Sequence, residues 1–159
     1  MITTGIGYDV HRLVADRPLV LGGVEIPHSL GLEGHSDADV LCHAIADALL
    51  GASGEPDIGH VFPNTDNSIK GISSLEILRR VRAVLDEKSI RIHNIDASLI
   101  AEEPKISPHL GLMKERVGAA LGLPPRRVGI KATTNEELGF LGRGEGMAAM
   151  ATACVDVPE

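Results

Sequence analysis

Side chains alternate with period two from the start of the chain. In the stretch Gly5-Ile6-Gly7-Tyr8-Asp9-Val10-His11-Arg12, Ile6, Tyr8 and Val10 fall on one face of a predicted strand and Gly5, Gly7, Asp9 and His11 on the other. Asp16-Arg17-Pro18 reads as a turn. Leu19-Val20-Leu21 and Val24-Glu25-Ile26 around Gly22-Gly23 read as a short hairpin. The period then becomes helical. Val40, Leu41, Ile45, Ala48 and Leu49 predict a helix from Ala38 to Leu50. Leu75, Ile77, Leu78, Val81, Val84 and Leu85 predict a second, capped by Ser73 or Ser74 and running to about Lys88. Alternation returns between Ile90 and Glu103, as one or two strands. Ser107 with Pro108 opens a third helix that ends near Leu121-Gly122, and Val128–Thr134 and Met147–Val157 complete the strands. Two glycine-rich polar loops, 31–39 and 135–146, and an aperiodic stretch, 51–72, separate these elements. The order implies an α+β or α/β sandwich with helices on one sheet face. No repeat or shift in composition divides the chain, so 1–159 is expected to be a single domain.

Composition narrows the function classes. The chain is 43% hydrophobic and 23% charged, and has two Phe, one Tyr and no Trp, so its core must be aliphatic. A net charge of −7 with no basic run argues against a nucleic-acid binder that works by neutralising the backbone. No apolar run is long enough to span a membrane. The strand that begins almost at Met1 leaves no room for a signal peptide, so a cytoplasmic protein is expected. Cys42 and Cys154 lack metal-site spacing and read as free thiols. Seven His and 18 Gly turn attention to metal or acid–base chemistry and to close backbone approaches.

Asp9 and His11 point the same way, with two glycines keeping that face open. They supply two of the three protein ligands of a catalytic zinc, or else an ordinary solvated face. His43, flanked at spacing four by Asp39 and Asp47, is the candidate third ligand, since a neighbouring carboxylate can orient a ligating imidazole. Ser36 and Asp39 match a Ser-x-x-Asp capping pattern. The helix start behind His35 and Ser36 is either an anion site or a plain cap. The aperiodic stretch is either a surface loop or a lid whose acids and hydroxyls hydrogen-bond a polyol.

These motifs occur together in a known order. The run 7–12, Gly34-His35-Ser36-Asp37-Ala38-Asp39 with His43, Asp57-Ile58-Gly59 with Phe62-Pro63, and Pro104-Lys105 lead to Lys131-Ala132-Thr133-Thr134, Gly139-Phe140 and Gly142-Arg143-Gly144-Glu145-Gly146. The chain strongly resembles the 2-C-methyl-D-erythritol 2,4-cyclodiphosphate synthase family of the non-mevalonate isoprenoid pathway, over nearly its whole length and in the stand-alone form. The resemblance implies a mixed four-stranded main sheet plus a short hairpin, with helices on one face and sheets meeting around a homotrimer axis. It implies a lyase that converts 4-diphosphocytidyl-2-C-methyl-D-erythritol 2-phosphate to the cyclic diphosphate and CMP. Asp9, His11 and His43 would bind zinc. Glu136 would meet a second divalent ion, magnesium or manganese, through the diphosphate. His35, Ser36, Asp57, Ile58 and Gly59 would meet the erythritol and phosphate part, under a loop containing Phe62, Pro63, Asn64, Thr65 and Asp66. Ala101, Glu102, Glu103, Pro104, Lys105, Ile106 and Ser107, with Thr133, Thr134 and Asn135, would form the cytidine pocket on a neighbouring subunit. Phe140, Arg143 and Glu145 would face a central cavity able to hold an isoprenoid diphosphate.

Asn64, Ser73, Glu102, Glu103 and Asn135 depart from the family pattern, in the loop and at the nucleotide rim. The implied reaction is an intramolecular phosphoryl transfer whose nucleophile is already an anion. No strong base is then needed, and His35 and Thr134 are expected to stabilise the transition state by hydrogen bonds. Asp57 would hold an erythritol hydroxyl, and Asp47 would orient His43 or lie within the site. Two rivals stay open: a trimeric sensor of isoprenoid diphosphates acting through Arg143 and Glu145, and a zinc-dependent nucleotide phosphohydrolase.

Overall fold

The computed structural model describes residues 1–63 and 65–159; the expectation for Asn64 lies outside them. Strand β1 (Ile2–Ala15) pairs antiparallel with the C-terminal β7 (Gly146–Asp156), from Ile2 opposite Asp156 to Arg12 opposite Gly146. On its far side β7 pairs antiparallel with β5 (Arg91–Ile100), which pairs parallel with β6 (Val128–Thr133). Parallel neighbours need a crossover, and α4 (Leu110–Leu121) lies between β5 and β6 in the chain and packs on β6. The hairpin of β2 (Leu19–Leu21) and β3 (Val24–Ile26) forms as expected.

Among the described residues the main sheet has five strands, in the order β4-β1-β7-β5-β6, not the expected four. The extra strand is β4 (Leu30–Leu32), whose register sets Leu13 opposite Leu32 and Ala15 opposite Leu30. Three residues are too short for a period to show. The 90–103 stretch is one strand, ending at Ile100, with a register shift between Ile92 and Asn94. The two remaining irregular stretches contain single-turn helices, α2 (Ile58–Val61) and α5 (Gly139–Gly142). Helix α3 (Ser74–Glu87) is capped by Ser73, whose Oγ accepts from the Leu75 N–H at 3.3 Å. A 3-10 turn over Ser107–His109 precedes α4.

Helix α1 (Val40–Ala52) begins two residues later than its pattern predicted. Ala38 takes a left-handed φ of 56°, and Asp39 caps the helix by accepting the Cys42 N–H at 3.0 Å, so the Ser36–Asp39 capping pair does not form. The same carboxylate accepts the Gly22 and Gly23 N–H groups at 3.0 and 2.7 Å. One buried acid thereby ties the β2–β3 turn to the start of α1. Burial and the charge of Asp37 push its pKa up, and the three N–H donors oppose this.

Nearly every side chain of α1 is buried, as expected of a helix without a broad polar face. Its ridge of Ala44, Ala48 and Ala52 lies directly on β1. A Cβ at Gly5 or Gly7 would overlap the carbonyl oxygen of Ala48 or Ala44. The two glycines therefore admit the helix backbone and do not, as the sequence suggested, leave that face open for a ligand. The other face of β1 is unpartnered: Ile6, Tyr8 and Val10 are exposed, with Met150 opposite Tyr8. Among the described residues no helix is long and apolar enough to cross a membrane.

Gly7→Ala is expected to destabilise the protein by more than about 2 kcal/mol, because the atom it meets is backbone and cannot rotate away. Gly51→Ala, within α1, whose Cβ would sit 3.9 Å from its nearest neighbour, the Ile6 carbonyl oxygen, should be neutral or stabilising by up to about 1 kcal/mol. Urea unfolding midpoints of the two variants check the contrast.

Candidate metal centre and active site

Three ligand atoms converge where β1 crosses α1. Asp9 Oδ2 lies 2.9 Å from His11 Nε2 and 3.1 Å from His43 Nδ1, and the two ring nitrogens are 3.4 Å apart. Ligands about 2.0–2.1 Å from a tetrahedral zinc are about 3.3–3.4 Å from one another, so this triangle fits such an ion after small movements and leaves its fourth corner open. The helix–strand contact explains the convergence, because the glycines on β1 bring the first turns of α1 within reach of Asp9 and His11.

Surrounding groups fix the tautomers. His11 Nδ1 lies 2.8 Å from the Glu33 carbonyl, which can only accept, so Nδ1 carries the proton and Nε2 presents its lone pair. His43 Nε2 faces two hydroxyls, Ser74 Oγ at 3.0 Å and Ser36 Oγ at 3.2 Å. Burial would raise the pKa of Asp9, but in the absence of metal the two imidazoles, when protonated toward it, outweigh burial through hydrogen bonds and charge and hold the carboxyl at about 2. Burial would lower the pKa of His43, but Asp9, with Asp39 and Asp37 behind it, moves it upward.

The triangle opens into a cavity of about 280 Å³ lined by His35, Ser36, Ile58, Gly59, Phe62 and Ile77. Among the described residues His35 Nε2 is buried with no hydrogen-bond partner. Asp57 stands at the rim and caps α2; its Oδ1 accepts the His60 N–H at 3.0 Å and lies 3.1 Å from His60 Nδ1, contacts that lower its pKa. Among the described residues Asp47 makes no hydrogen bond to His43 and does not line the cavity. Its Oδ1 accepts the Ile58 N–H at 2.8 Å and so anchors the start of α2, while burial pushes its pKa up. Pro63, Thr65 and Asp66 are exposed beyond Phe62.

The remaining predicted residues form a second group elsewhere on the sheet. The register aligns Val10 with Ala148, Ala148 with Ile100 and Ile100 with Thr133. Thr133 and Thr134 therefore lie level with Asp9 and His11 but three strands away, about 14 Å at the usual strand spacing. Ala101 donates its N–H to Thr133 O at 2.9 Å, which joins the 101–107 loop to this end of β6. Within that loop Ala101 and Ile106 are buried, whereas Glu103, Lys105 and Ser107 are exposed. Glu102 accepts the N–H groups of Asn135 and Glu137 at 2.9 and 3.3 Å and so braces the turn after β6. Glu136 is exposed at a φ of 54°, its N–H donated to Thr134 Oγ1 at 3.2 Å. Arg143 and Glu145 pair at 2.6 Å, and Phe140 and Glu145 line a second cavity of about 250 Å³ with Val10, His11 and Arg12.

Sequence reading missed two residues that shape the metal centre. Arg17, taken for part of a turn, donates to the carbonyls of Gly34 and Ser36 at 3.0 and 2.9 Å and holds the loop in front of His43. Ser74, taken for a helix cap, reaches His43. Neither carried a sequence signal, since each contact joins segments far apart in the chain.

His43→Ala is expected to lose stoichiometric divalent metal on gel filtration, read by atomic emission. In the wild-type protein His43 must shed its proton to ligate, and its pKa lies above the ordinary value. Metal affinity should therefore fall by at least about tenfold per pH unit on acidification below that value, while Asp9 stays ionised. Chelator competition between pH 8 and 5.5 measures the slope, and a flat profile would remove His43 from the ligand set.

Comparison with known proteins shows the family. The model of the YgbB family matches residues 2–156. The 2-C-methyl-D-erythritol 2,4-cyclodiphosphate synthase of Akkermansia muciniphila is 63% identical over 157 residues, covering 98% of this chain and 93% of that protein. The bifunctional IspDF of Campylobacter jejuni superposes with a TM-score of 0.95 at 40% identity, over 100% of this chain but 43% of that one. A CDP complex of IspF from Plasmodium falciparum superposes with a TM-score of 0.86 at 31% identity, over 99% of this chain and 97% of that one. The chain belongs to the YgbB family, among whose relatives are these cyclodiphosphate synthases.

Proposed function

We propose that residues 1–159 act as one synthase domain that converts 4-diphosphocytidyl-2-C-methyl-D-erythritol 2-phosphate into 2-C-methyl-D-erythritol 2,4-cyclodiphosphate and CMP, a phosphorus–oxygen lyase of isoprenoid biosynthesis. The observation that carries this reading is the Asp9–His11–His43 triangle opening into a cavity lined by His35, Ser36 and Gly59, in a chain whose relatives bear that activity in their names. The CDP complex of the Plasmodium relative supports a cytidine nucleotide as part of the substrate.

In this reaction an oxygen of the 2-phosphate forms a bond to the β-phosphorus while the bond from that phosphorus to the oxygen of CMP breaks. The nucleophile is an anion and the leaving group departs as one. The site must therefore gather charge and align groups, and it needs no strong base. Asp9, His11 and His43 would hold zinc, and Glu136 with substrate phosphates a magnesium or manganese ion; both supply positive charge against the phosphates when bound. His35 and the Thr134 hydroxyl would donate to phosphoryl oxygens. Ser36 and the Ile58–Gly59 backbone would hold the erythritol phosphate, and the second carboxylate oxygen of Asp57 an erythritol hydroxyl. Phe62 to Asp66 would cover the substrate. The 101–107 loop with Thr133, Thr134 and Asn135 would take the cytidine.

Two observations support a homotrimer with a site at each boundary. The two residue groups lie three strands apart in one chain, and Ile6, Tyr8, Val10 and Met150 expose an apolar strip that a neighbour's sheet could cover. Phe140, Arg143 and Glu145 would then face the central cavity, where an isoprenoid diphosphate could sit. A cytoplasmic setting suits this substrate.

Incubating the zinc- and magnesium-supplemented protein with the cytidyl substrate should yield the cyclic diphosphate and CMP in equal amounts. Linear phosphates would point instead to a phosphohydrolase, and no turnover with tight isoprenoid diphosphate binding to a sensor. Ile6→Asp should sediment as a monomer that keeps its metal and loses at least about 100-fold in turnover. A monomer with full activity would sink the shared-site reading.

A further inference from the structure

We propose that Ser74 and Asp37 form a positioning relay that selects which nitrogen of His43 faces the metal. The inference rests on the metal reading above and deepens it. Ser74 is the first residue of α3 and is fully buried, yet α3 is already capped by Ser73. Its hydroxyl is therefore not needed to start the helix. Ser74 Oγ donates instead to Asp37 Oδ1 in a short contact, and its backbone N–H goes to Asp37 Oδ2 at 2.9 Å. Asp37 Oδ1 also accepts the Asp39 N–H at 3.1 Å. The carboxylate is thus fixed from three directions between the start of α1 and the start of α3.

The orientation of the hydroxyl follows from this fixing. A serine carries one proton, and the carboxylate takes it. Toward His43, 3.0 Å away, Ser74 Oγ can then only accept. Nε2 must carry a hydrogen, and the lone pair of a neutral His43 is confined to Nδ1, the atom that lies 3.1 Å from Asp9 and 3.4 Å from His11. Without the relay the neutral ring could place its proton on either nitrogen, and on Nδ1 it would block ligation. Ser36 Oγ, 3.2 Å from Nε2, cannot select in this way, because it accepts the Ala38 N–H at 3.2 Å and its own proton has no carboxylate to receive it.

The relay also links the metal centre to the 54–72 segment. Asp37 donates its N–H to Ile72 O at 3.2 Å, and Gly71 donates to His35 O at 3.0 Å. The far end of that segment is thus held by the acid that orients Ser74, and its near end by Asp47 from α1. Ser74 acts through His43 and does not itself meet the substrate.

The test is cobalt binding by the wild-type, Ser74→Ala and Ser74→Thr proteins, by competition with a chromophoric chelator and by the visible spectrum of the bound ion. Loss of the hydroxyl should weaken binding by about 10–100-fold and alter the spectrum, as outer ligand partners generally do. Threonine, which keeps the hydroxyl, should restore both to within a few-fold. Unchanged affinity and spectrum in Ser74→Ala would overturn the relay while leaving the metal site standing; a wild-type protein that takes up no ion overturns both. Should the alanine variant fail to fold, the long-range nitrogen–proton NMR spectrum of zinc-loaded wild-type protein decides alone. A His43 ring protonated on Nε2 supports the relay, and one protonated on Nδ1 refutes it.

Discussion

The contact of α1 with β1 is the constraint on which the rest of this structure depends. The alanine ridge of the helix meets the strand at Gly5 and Gly7, where any side chain would collide with helix carbonyls. This closeness brings the two ends of the site into register, because an imidazole on the helix can reach a carboxylate and an imidazole on the strand only if the backbones are nearly touching. It also leaves β1 with an unusual division of labour. Its polar residues face the helix and its large apolar residues face outward.

A polar cluster placed at such a junction is costly unless each charge is met. Asp9 illustrates the balance. Desolvation would neutralise it, but two imidazoles keep it ionised far below the ordinary range. The next layer repeats the logic. Asp39 takes three backbone N–H groups, Asp37 takes Ser74 and the Asp39 amide, and Arg17 takes two loop carbonyls. The 33–39 loop has no regular structure of its own. It is held by these side chains, and they give the metal-facing atoms their orientation.

The outward apolar strip and the split of the predicted residues into two groups are two aspects of one geometry. A sheet with helices on one side and unpartnered Ile6, Tyr8, Val10 and Met150 on the other has hydrophobic area left uncovered. The same sheet keeps the Thr133–Glu136 turn about 14 Å from the ligand triangle across its width. Association of sheets would answer both, which gives the trimer reading physical support from within one chain.

Much of this was legible in the sequence. The helices over 74–87 and 110–121 and the long strands follow from hydrophobic period, and Asp9, His11 and His43 from residue type, spacing and family resemblance. Strand β4 was not legible because three residues show no period, and the start of α1 was misread because Ala38 takes a left-handed turn that no local pattern announces. The roles of Gly5 and Gly7 were inverted, since a missing side chain looks the same in sequence whether it admits a ligand or a helix. The sequence by itself determined which residues could ligate and which faces were apolar, because both are properties of side chains and their local period. Only the tertiary structure decided that Asp47 anchors α2, that Glu102 braces a turn, and that Ser74 and Arg17 stand behind the metal-facing atoms. Each of those contacts joins segments separated along the chain, and a hydrogen bond between distant residues exists only once packing has brought their backbones together.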